Sequence, residues 1–545
     1  MSMRKRTIAL SIAALLWSAP LVHGTPADIW SQRFGGTDDV GFREIAVDPS
    51  GNIVAIGYFY DQVTLDSTYT TLGYKDVFVA KFDSNGNPIW SRQVADVSTD
   101  QVFDVTTDRV GNVIAVGYLA PSSTDIAAMV VKYAPDGTLR WLKRYGDGDD
   151  KTQAVECVTT DYSKNLIIAG EFDGSIDLGG GPLLEINGRT VFLAKLDQLG
   201  NHVWSKRFAT TSGIYFFLAG MQTGADGQTT LYGMIDGSID FGNGALTTAG
   251  GYDVFLAKFD PNGNVIWAHN YGDAGNQYAG TVAINESAQI AIAGYTSGDI
   301  DLGGGVLTPT GGPDPFVAVL TPGGNHVWSK IFTGALPQWG MDVTWASNQD
   351  VVLLCRGYGT LDFGGGPLAI AGTTYQLYLA RFLGSNGDHR WSTMFSSTGG
   401  MEGYIEEDDG HVLLGGGVYG DVDFGAGVSP GTTLGDAFLA GLGDILTGAS
   451  SPVVSATLEQ NAPNPFNPQT TINYTLDAPA RAEIVIYDAS GAVVARLDDG
   501  VQPTGAHSIT WDGRDGGGKP VASGVYFYRL EGLQATGARK MVLLK

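Results

Sequence analysis

Residues 77–90 read VFVAKFDSNGNPIW: an apolar strand, a turn of Asp, Ser, Asn and Gly, and a second strand carrying Trp90. The phrase returns along the chain. Trp30, Trp90, Trp141, Trp204, Trp267, Trp328 and Trp391 stand 51 to 63 residues apart, and Gly86, Gly137, Gly200, Gly263, Gly324 and Gly387 each precede an indole by four positions. Self-similarity at a near-fixed period marks a repeat array. In the first unit the runs 44–48, 53–59, 77–82 and 89–94 are short, rich in Val, Ile, Phe and Tyr, and bounded by Gly, Asn, Asp or Pro. Each unit is therefore predicted to be four short antiparallel strands, the blade of a β-propeller. The period exceeds the roughly 34 to 45 residues of helical repeats.

The array is offset at its ends. The chain enters at Trp30 with only the last strand of a unit, and its final unit, 411–442, has no fourth strand. The expected fold is all-β: a seven-bladed β-propeller over 25–446 closed by the N-terminal strand, which hides two sheet edges that would otherwise invite aggregation. A linker over 447–457 leads to a small β-sandwich over 458–545, whose predicted strands are 471–476, 482–488, 492–497, 507–511, 525–530 and 540–544. Residues 1–24 read as a signal peptide, with Arg4, Lys5 and Arg6 before an apolar run and Gly24 at the cleavage point. No later segment has eighteen uncharged apolar residues, so no transmembrane segment is expected in the mature chain, and its location is expected to be extracellular or on the outer cell surface.

The net charge is −25. From Leu458 onward the charges nearly balance, so the acid excess lies in the array and excludes nucleic acid as a partner. Cys157 and Cys355, the only cysteines, fall in strand-like runs and read as small buried hydrophobes.

The search for chemistry is short. His202, His326 and His389 each fall two residues before a tryptophan, a symmetric turn position that does not bring ligands together. The acidic turn 146–150 lacks the glutamate of a calcium loop. The Asp-Leu/Phe-Gly phrases beginning at Asp177, Asp240, Asp301, Asp362 and Asp423 recur with the units and read as turn formers. No catalytic residue and no cofactor site is assigned, and the metal content is left unknown. The one multi-carboxylate set singled out is Asp76, Asp253, Asp314 and Asp436, placed before the third strands and expected to ring the axis. Trp339 and Trp345 mark the most irregular apolar insertion and form the candidate ligand patch.

The chain carries four resemblances to known families. Leu458-Glu459-Gln460-Asn461, Asn464-Pro465-Phe466-Asn467-Pro468, Trp511-Asp512-Gly513-Arg514-Asp515, Ser523-Gly524-Val525-Tyr526 and the terminal Lys540–Lys545 resemble the C-terminal sorting domain of type IX secretion cargo. The Trp-Asp-Gly-Arg-Asp phrase also resembles the Ig-like domain of flagellar hook-cap proteins. These likenesses imply an Ig-like sandwich that addresses the type IX machinery and carries no catalysis. The Asp83–Trp90 phrase is similar to the tryptophan-docking repeat of quinoprotein dehydrogenases, without the adjacent cysteine pair of that family. The whole unit, with its Asp-Phe-Gly-Gly-Gly loop and Gly-Asn-x-x-Trp-Ser ending, looks like the secreted bacterial β-propeller repeats of the SBBP type. Together they suggest a secreted or cell-surface propeller that is not an enzyme and binds an extracellular glycan or protein. The alternatives are a secreted lyase or hydrolase with an axial carboxylate and Ca²⁺ site, and a structural envelope protein. A deep axial pocket lined by non-repeating charged residues would favour catalysis, and a symmetric or plugged one binding.

Overall fold

The computed structural model describes residues 27–443 and 455–545, except 121, 123–125, 147–150, 211–214, 370–373, 409, 426, 432–433, 477–479, 489–492, 503–504, 516–518, 532–533 and 536–538. The predicted signal peptide, most of the acidic turn and most of the linker lie outside the described residues. All regular elements among the described residues are strands. The chain divides between Ile445 and Leu446 into two compact units.

Among the described residues the first unit holds seven larger antiparallel sheets, five of four strands and two extended to six by the hairpin of the following sheet. In the first, Val40–Val47, Ile53–Phe59, Asp76–Phe82 and Pro88–Val94 follow one another. Its two middle strands are apolar at nearly every position and buried on both faces, as strands covered on either side must be. The opening strands of the seven sheets are Val40–Val47, Gln101–Thr107, Gln153–Thr160, Tyr215–Thr223, Gln277–Ile284, Gln338–Trp345 and Gly400–Asp408. Each packs against the next, and the last packs against the first.

The last sheet takes its outer strand from the other end of the chain. Ala27–Phe34 pairs antiparallel with Gly435–Gly443, placing Trp30 opposite Gly441 and Phe34 opposite Ala437. Arg33 fastens the join through an ion pair to Asp436 at 2.7 Å and hydrogen bonds to the Gly420 and Ser429 carbonyls.

Neighbouring sheets are sutured by indoles. Each tryptophan lies on the turn glycine of the following sheet, not on the glycine of its own phrase. A methyl group at Gly86 would stand 2.4 Å from Trp30, one at Gly137 2.7 Å from Trp90, and one at Gly263 2.6 Å from Trp204. The same pairing joins Trp141 to Gly200, Trp267 to Gly324 and Trp328 to Gly387. The indole Nε1 of Trp90, Trp204 and Trp267 donates to the carbonyls of Pro135, Pro261 and Pro322 in those turns. These glycines have φ between +74° and +79°, so the turn needs the missing Cβ twice, for its backbone and for the ring. Trp391 is the exception: the sheet after it has its third and fourth strands at opposite chain ends, so no such turn exists, and the ring is buried beside Phe438 and Ala440.

The Asp-Leu/Phe-Gly phrases form hairpins between the second and third strands. Asp177 Oδ1 accepts hydrogen bonds from the Gly179 and Gly181 amides, and Asp240, Asp301, Asp362 and Asp423 repeat the pattern. The adjacent apolar residues, among them Leu178, Phe241, Leu302, Phe363 and Phe424, are buried.

The second unit pairs two four-stranded sheets around Phe466, Tyr474, Ile486, Trp511, Tyr528 and Leu543. Its first strand, Ser455–Leu458, begins inside the stretch predicted as linker. The Trp511 indole donates to the Arg514 carbonyl at 2.8 Å, so the Trp-Asp-Gly-Arg-Asp phrase closes on itself.

Two glycines with similar backbones separate the suture from simple strain. Gly181 has φ +98° and open space around it, so Gly181→Ala is expected to cost about 1–2 kcal/mol from its backbone alone. Gly86→Ala should add about 1–3 kcal/mol of overpacking against Trp30, read as a lower denaturation midpoint of the array by tryptophan fluorescence.

Candidate functional site

The opening strands carry the departures from symmetry. In six of the seven, the pairing to the second strand slips, after Phe42, Val102, Val155, Leu218, Ala279 and Gly340; in Gly400–Asp408 it does not. A bulge re-aims the side chain it inserts, and the inserted residues differ from sheet to sheet: Arg43, Phe103, Glu156, Ala219 and Met341.

These strands enclose a cavity of about 780 Å³, to which all seven contribute lining residues. Its wall is lopsided. Sheets one, two, three, six and seven supply Glu44, Asp104, Glu156, Asp342 and Glu406, whereas sheets four and five supply Ala219, Gly220, Gly280 and Thr281.

Burial governs the acids. Asp104 is pushed up to about 7 and Asp342 to about 7 by burial, although each accepts amide hydrogen bonds that oppose the shift. Asp104 takes the Val158 amide at 2.7 Å, and Asp342 takes those of Ile405 at 2.7 Å and Val343 at 2.8 Å. Glu156 is raised to about 8 by burial and then by the charge of Glu171, and Glu406 to about 8 by burial and then by Asp342. Glu44 is held well above the carboxylate range by burial, reinforced by Asp342 and Asp104. The cavity therefore presents carboxyl groups that titrate close to neutral pH, able to donate as well as accept hydrogen bonds.

Toward the end where the opening strands begin, the lining turns aromatic and cationic. Arg356 lies 5.4 Å from the Trp339 ring and 4.9 Å from that of Tyr375, and its Nη1 donates to Glu402 at 3.3 Å. Trp339 meets Tyr358 edge to face, Tyr358 meets Tyr375, and Tyr278 stacks on Tyr295 at 4.6 Å. Trp339, Tyr295, Tyr404, Arg43 and Arg356 all line the cavity.

The residues singled out in the sequence divide sharply. Trp339 lines the cavity, but Trp345 does not: its Nε1 donates to the Ala283 carbonyl at 3.1 Å, tying sheet six to sheet five. Asp76, Asp253, Asp314 and Asp436 are absent from the axial wall. They cap the loops ahead of the third strands instead: Asp76 accepts the Leu72 amide, Asp253 that of Ala249, Asp314 those of Thr310 and Gly334, and Asp436 pairs with Arg33. The axis belongs to first strands, so third-strand residues cannot ring it. His202, His326 and His389 bond Ser205, Ser329 and Ser392 at 3.0 Å, and their rings lie against the middle glycines of the hairpin tips, Gly180, Gly304 and Gly365. Among the described residues no group of three or more His, Cys, Asp or Glu is arranged to hold a metal ion. Cys157 and Cys355 are buried free thiols, both pushed up by burial. The cavity acids were missed, although their signal was present: a charge interrupting the apolar first run in some units and not in others.

Elevated carboxyl values fix a pH dependence. A folded pKa above the unfolded value of about 4 means the native state holds more protons, so that stability is complete below about pH 4 and lost as pH rises through 7 to 8. Asp48, Asp108 and Asp161, lowered by hydrogen bonds that outweigh their burial, act in the opposite sense and set the acid limit. The thermal midpoint is expected to fall between about pH 5 and about pH 9, and Glu406→Gln should flatten that fall; an unchanged slope in calorimetry would contradict the assignment.

Among known proteins, the chain is 22% identical over 444 residues to an uncharacterized WD repeat-containing protein of Acanthamoeba polyphaga mimivirus, covering 61% of this chain and 31% of that one. It thus spans about a third of that relative's length. Its structure is similar to quinohemoprotein alcohol dehydrogenase from Comamonas testosteroni, with 11% identity, TM-score 0.38, and 78% and 77% of the two chains covered. It is also similar to an ulvan lyase of polysaccharide lyase family PL25, with 11% identity, TM-score 0.39, and 71% and 93% covered. Residues 466–535 match the family model of the FlgD Ig-like domain.

Proposed function

We propose that this chain is a seven-bladed β-propeller, closed by Ala27–Phe34, that works outside the cell or on its surface as a glycan-binding module. Support for the ring comes from the seven sheets, the succession of opening strands that returns to its start, and the pairing of Trp30 with Gly441. The SBBP-type reading of the repeats agrees with the suture between each indole and the next turn.

The observation that carries the ligand class is the axial cavity. Its volume of about 780 Å³ falls in the range of small-ligand sites, about 300–1,000 Å³. Aromatic faces such as Trp339 and Tyr295 suit the C–H faces of sugar rings, and carboxyl groups near their titration points suit hydroxyls that both donate and accept. A glycan fits this concave, polar lining better than a flat protein surface does. The C-terminal unit is read as the type IX sorting signal, on the match to the FlgD Ig-like family and on the phrases around Phe466, Trp511 and the terminal lysines.

The same cavity favours a second reading. Its charged residues do not repeat around the axis, and burial raises Glu156 and Glu406 to about 8, a range compatible with proton transfer near neutrality by a lyase or hydrolase acting on the bound glycan.

A glycan-binding screen with the full chain, spanning neutral, uronate-containing and sulfated oligosaccharides, should find ligands whose affinity drops at least about tenfold in Trp339→Ala. Silence across the screen, or affinity indifferent to that substitution, would remove the glycan reading. New chain ends released from a bound glycan, and lost in Glu406→Gln, would replace binding by catalysis. Deleting 458–545 should leave the protein inside the outer membrane of a type IX-competent bacterium, scored by surface labelling.

A further inference from the structure

A second, smaller pocket of about 390 Å³ adjoins the axial cavity, and Arg43 lines both. Lys75, Tyr58, Tyr60, Tyr419 and Asp39 complete most of its wall. Its two cations are unusual in a chain with 57 acidic and 32 basic side chains. Elsewhere four buried cations of the array pair with aspartates, Lys81 with Asp48, Lys132 with Asp108, Lys195 with Asp161, and Arg381 with Asp350, and buried Lys258 donates to the Pro322 carbonyl. Among the described residues, Arg43 and Lys75 have no ion pair and no side-chain hydrogen bond. The Lys75 ammonium sits 5.4 Å from the centre of the Tyr58 ring.

The nearby carboxylates are committed elsewhere. Asp39 accepts the Gly435 amide at 2.8 Å and interacts with the Tyr419 hydroxyl. Asp100 accepts the amides of Asp96 at 2.7 Å and Ala120 at 2.9 Å. Burial lowers Lys75 from its usual range and the Arg43 charge adds to that, while the Asp100 charge only partly opposes it. Two like charges share a half-buried pocket in which neither Asp39 nor Asp100 forms an ion pair with them, an arrangement that an anionic ligand relieves.

The aromatic groups give that ligand a shape. Tyr58 meets Tyr60 edge to face at 6.0 Å, and Tyr60 meets Tyr74 at 5.2 Å. Tyr74 is 75% exposed, so the aromatic path runs from the pocket to solvent. We propose that Arg43 and Lys75 form an anion subsite for the carboxylate or sulfate of an acidic sugar unit, with Tyr58 and Tyr60 beside its ring and the following units entering the axial cavity. The net charge of −25 repels polyanions at long range, so recognition rests on contacts within the Debye length, about 8 Å at physiological salt. The inference rests on the glycan-binding reading.

The test is isothermal titration calorimetry on the full chain with matched probes: oligogalacturonate against its methyl ester, a sulfated galactan oligosaccharide against its desulfated form, and inorganic sulfate. The acidic member of at least one pair should bind about tenfold tighter than its neutral counterpart. Lys75→Gln should remove that preference while leaving neutral binding within about twofold, and Lys75→Arg should restore it; Arg43→Gln, at a residue that also lines the axial cavity, should remove the preference as well. Thermal midpoints at or above wild type for Lys75→Gln show that the fold is intact, because a repulsion has been removed. Equal affinity for acidic and neutral probes, or a preference unaffected by both substitutions, overturns the subsite and leaves the glycan reading standing. Sulfate binding that depends on Lys75, with no oligosaccharide bound, keeps the anion site and overturns its sugar ligand together with the glycan reading. Silence of every probe overturns both.

Discussion

An indole lying on a glycine of the next sheet is the contact from which the rest of the array follows. The ring can settle there only because the glycine has no Cβ and holds a left-handed backbone, and its N–H finds a carbonyl in the same turn. This one contact sets how far apart two sheets stand and how they are turned. Repeated from Trp30 to Trp328, it brings seven opening strands round one cavity.

What repeats in this molecule is structural, and what does not repeat faces the cavity. The buried Lys–Asp pairs, the Asx turns and the hairpin aspartates recur with the blades and hold backbone to backbone. The axial side chains change from blade to blade, yet several are also fasteners. Asp104 reaches the Val158 amide of the next blade, Asp342 the Ile405 amide, and Glu156 the Leu218 amide. A buried carboxyl group is tolerable in such a place when it is hydrogen-bonded and free to keep its proton. Stability and the polarity of the cavity wall therefore draw on the same acids.

Much of the architecture was legible because strand, turn and tryptophan recur, and recurrence can be seen in one sequence. Turn glycines four residues before six of the seven indoles mark the units in the sequence, but their partners are not legible there, since the contact joins residues of different units. The axial acids escaped for a related reason. Asp76, Asp253, Asp314 and Asp436 stand out by position within the unit, and position within the unit is what places them at the starts of third strands, where they cap the preceding loops. Glu44, Asp104 and Glu406 differ in type and offset, and a bulge that is invisible in sequence turns several of these first-strand positions to the axis. The Arg43 and Lys75 pocket needed three dimensions altogether, because it combines a first strand with the residue before a third.

The seam between Ala27–Phe34 and Gly435–Gly443 ties the timetable of folding to the length of the chain. Arg33 and Asp436 are 403 residues apart, so the strand made first waits for almost the last part of the array before it has a partner. Until then the outer edge of Gly435–Gly443 exposes unpaired backbone, and contacts this distant in sequence form slowly. A chain built around such a seam is best kept unfolded until both partners are present, and the seam, once made, shields that edge from pairing with another chain.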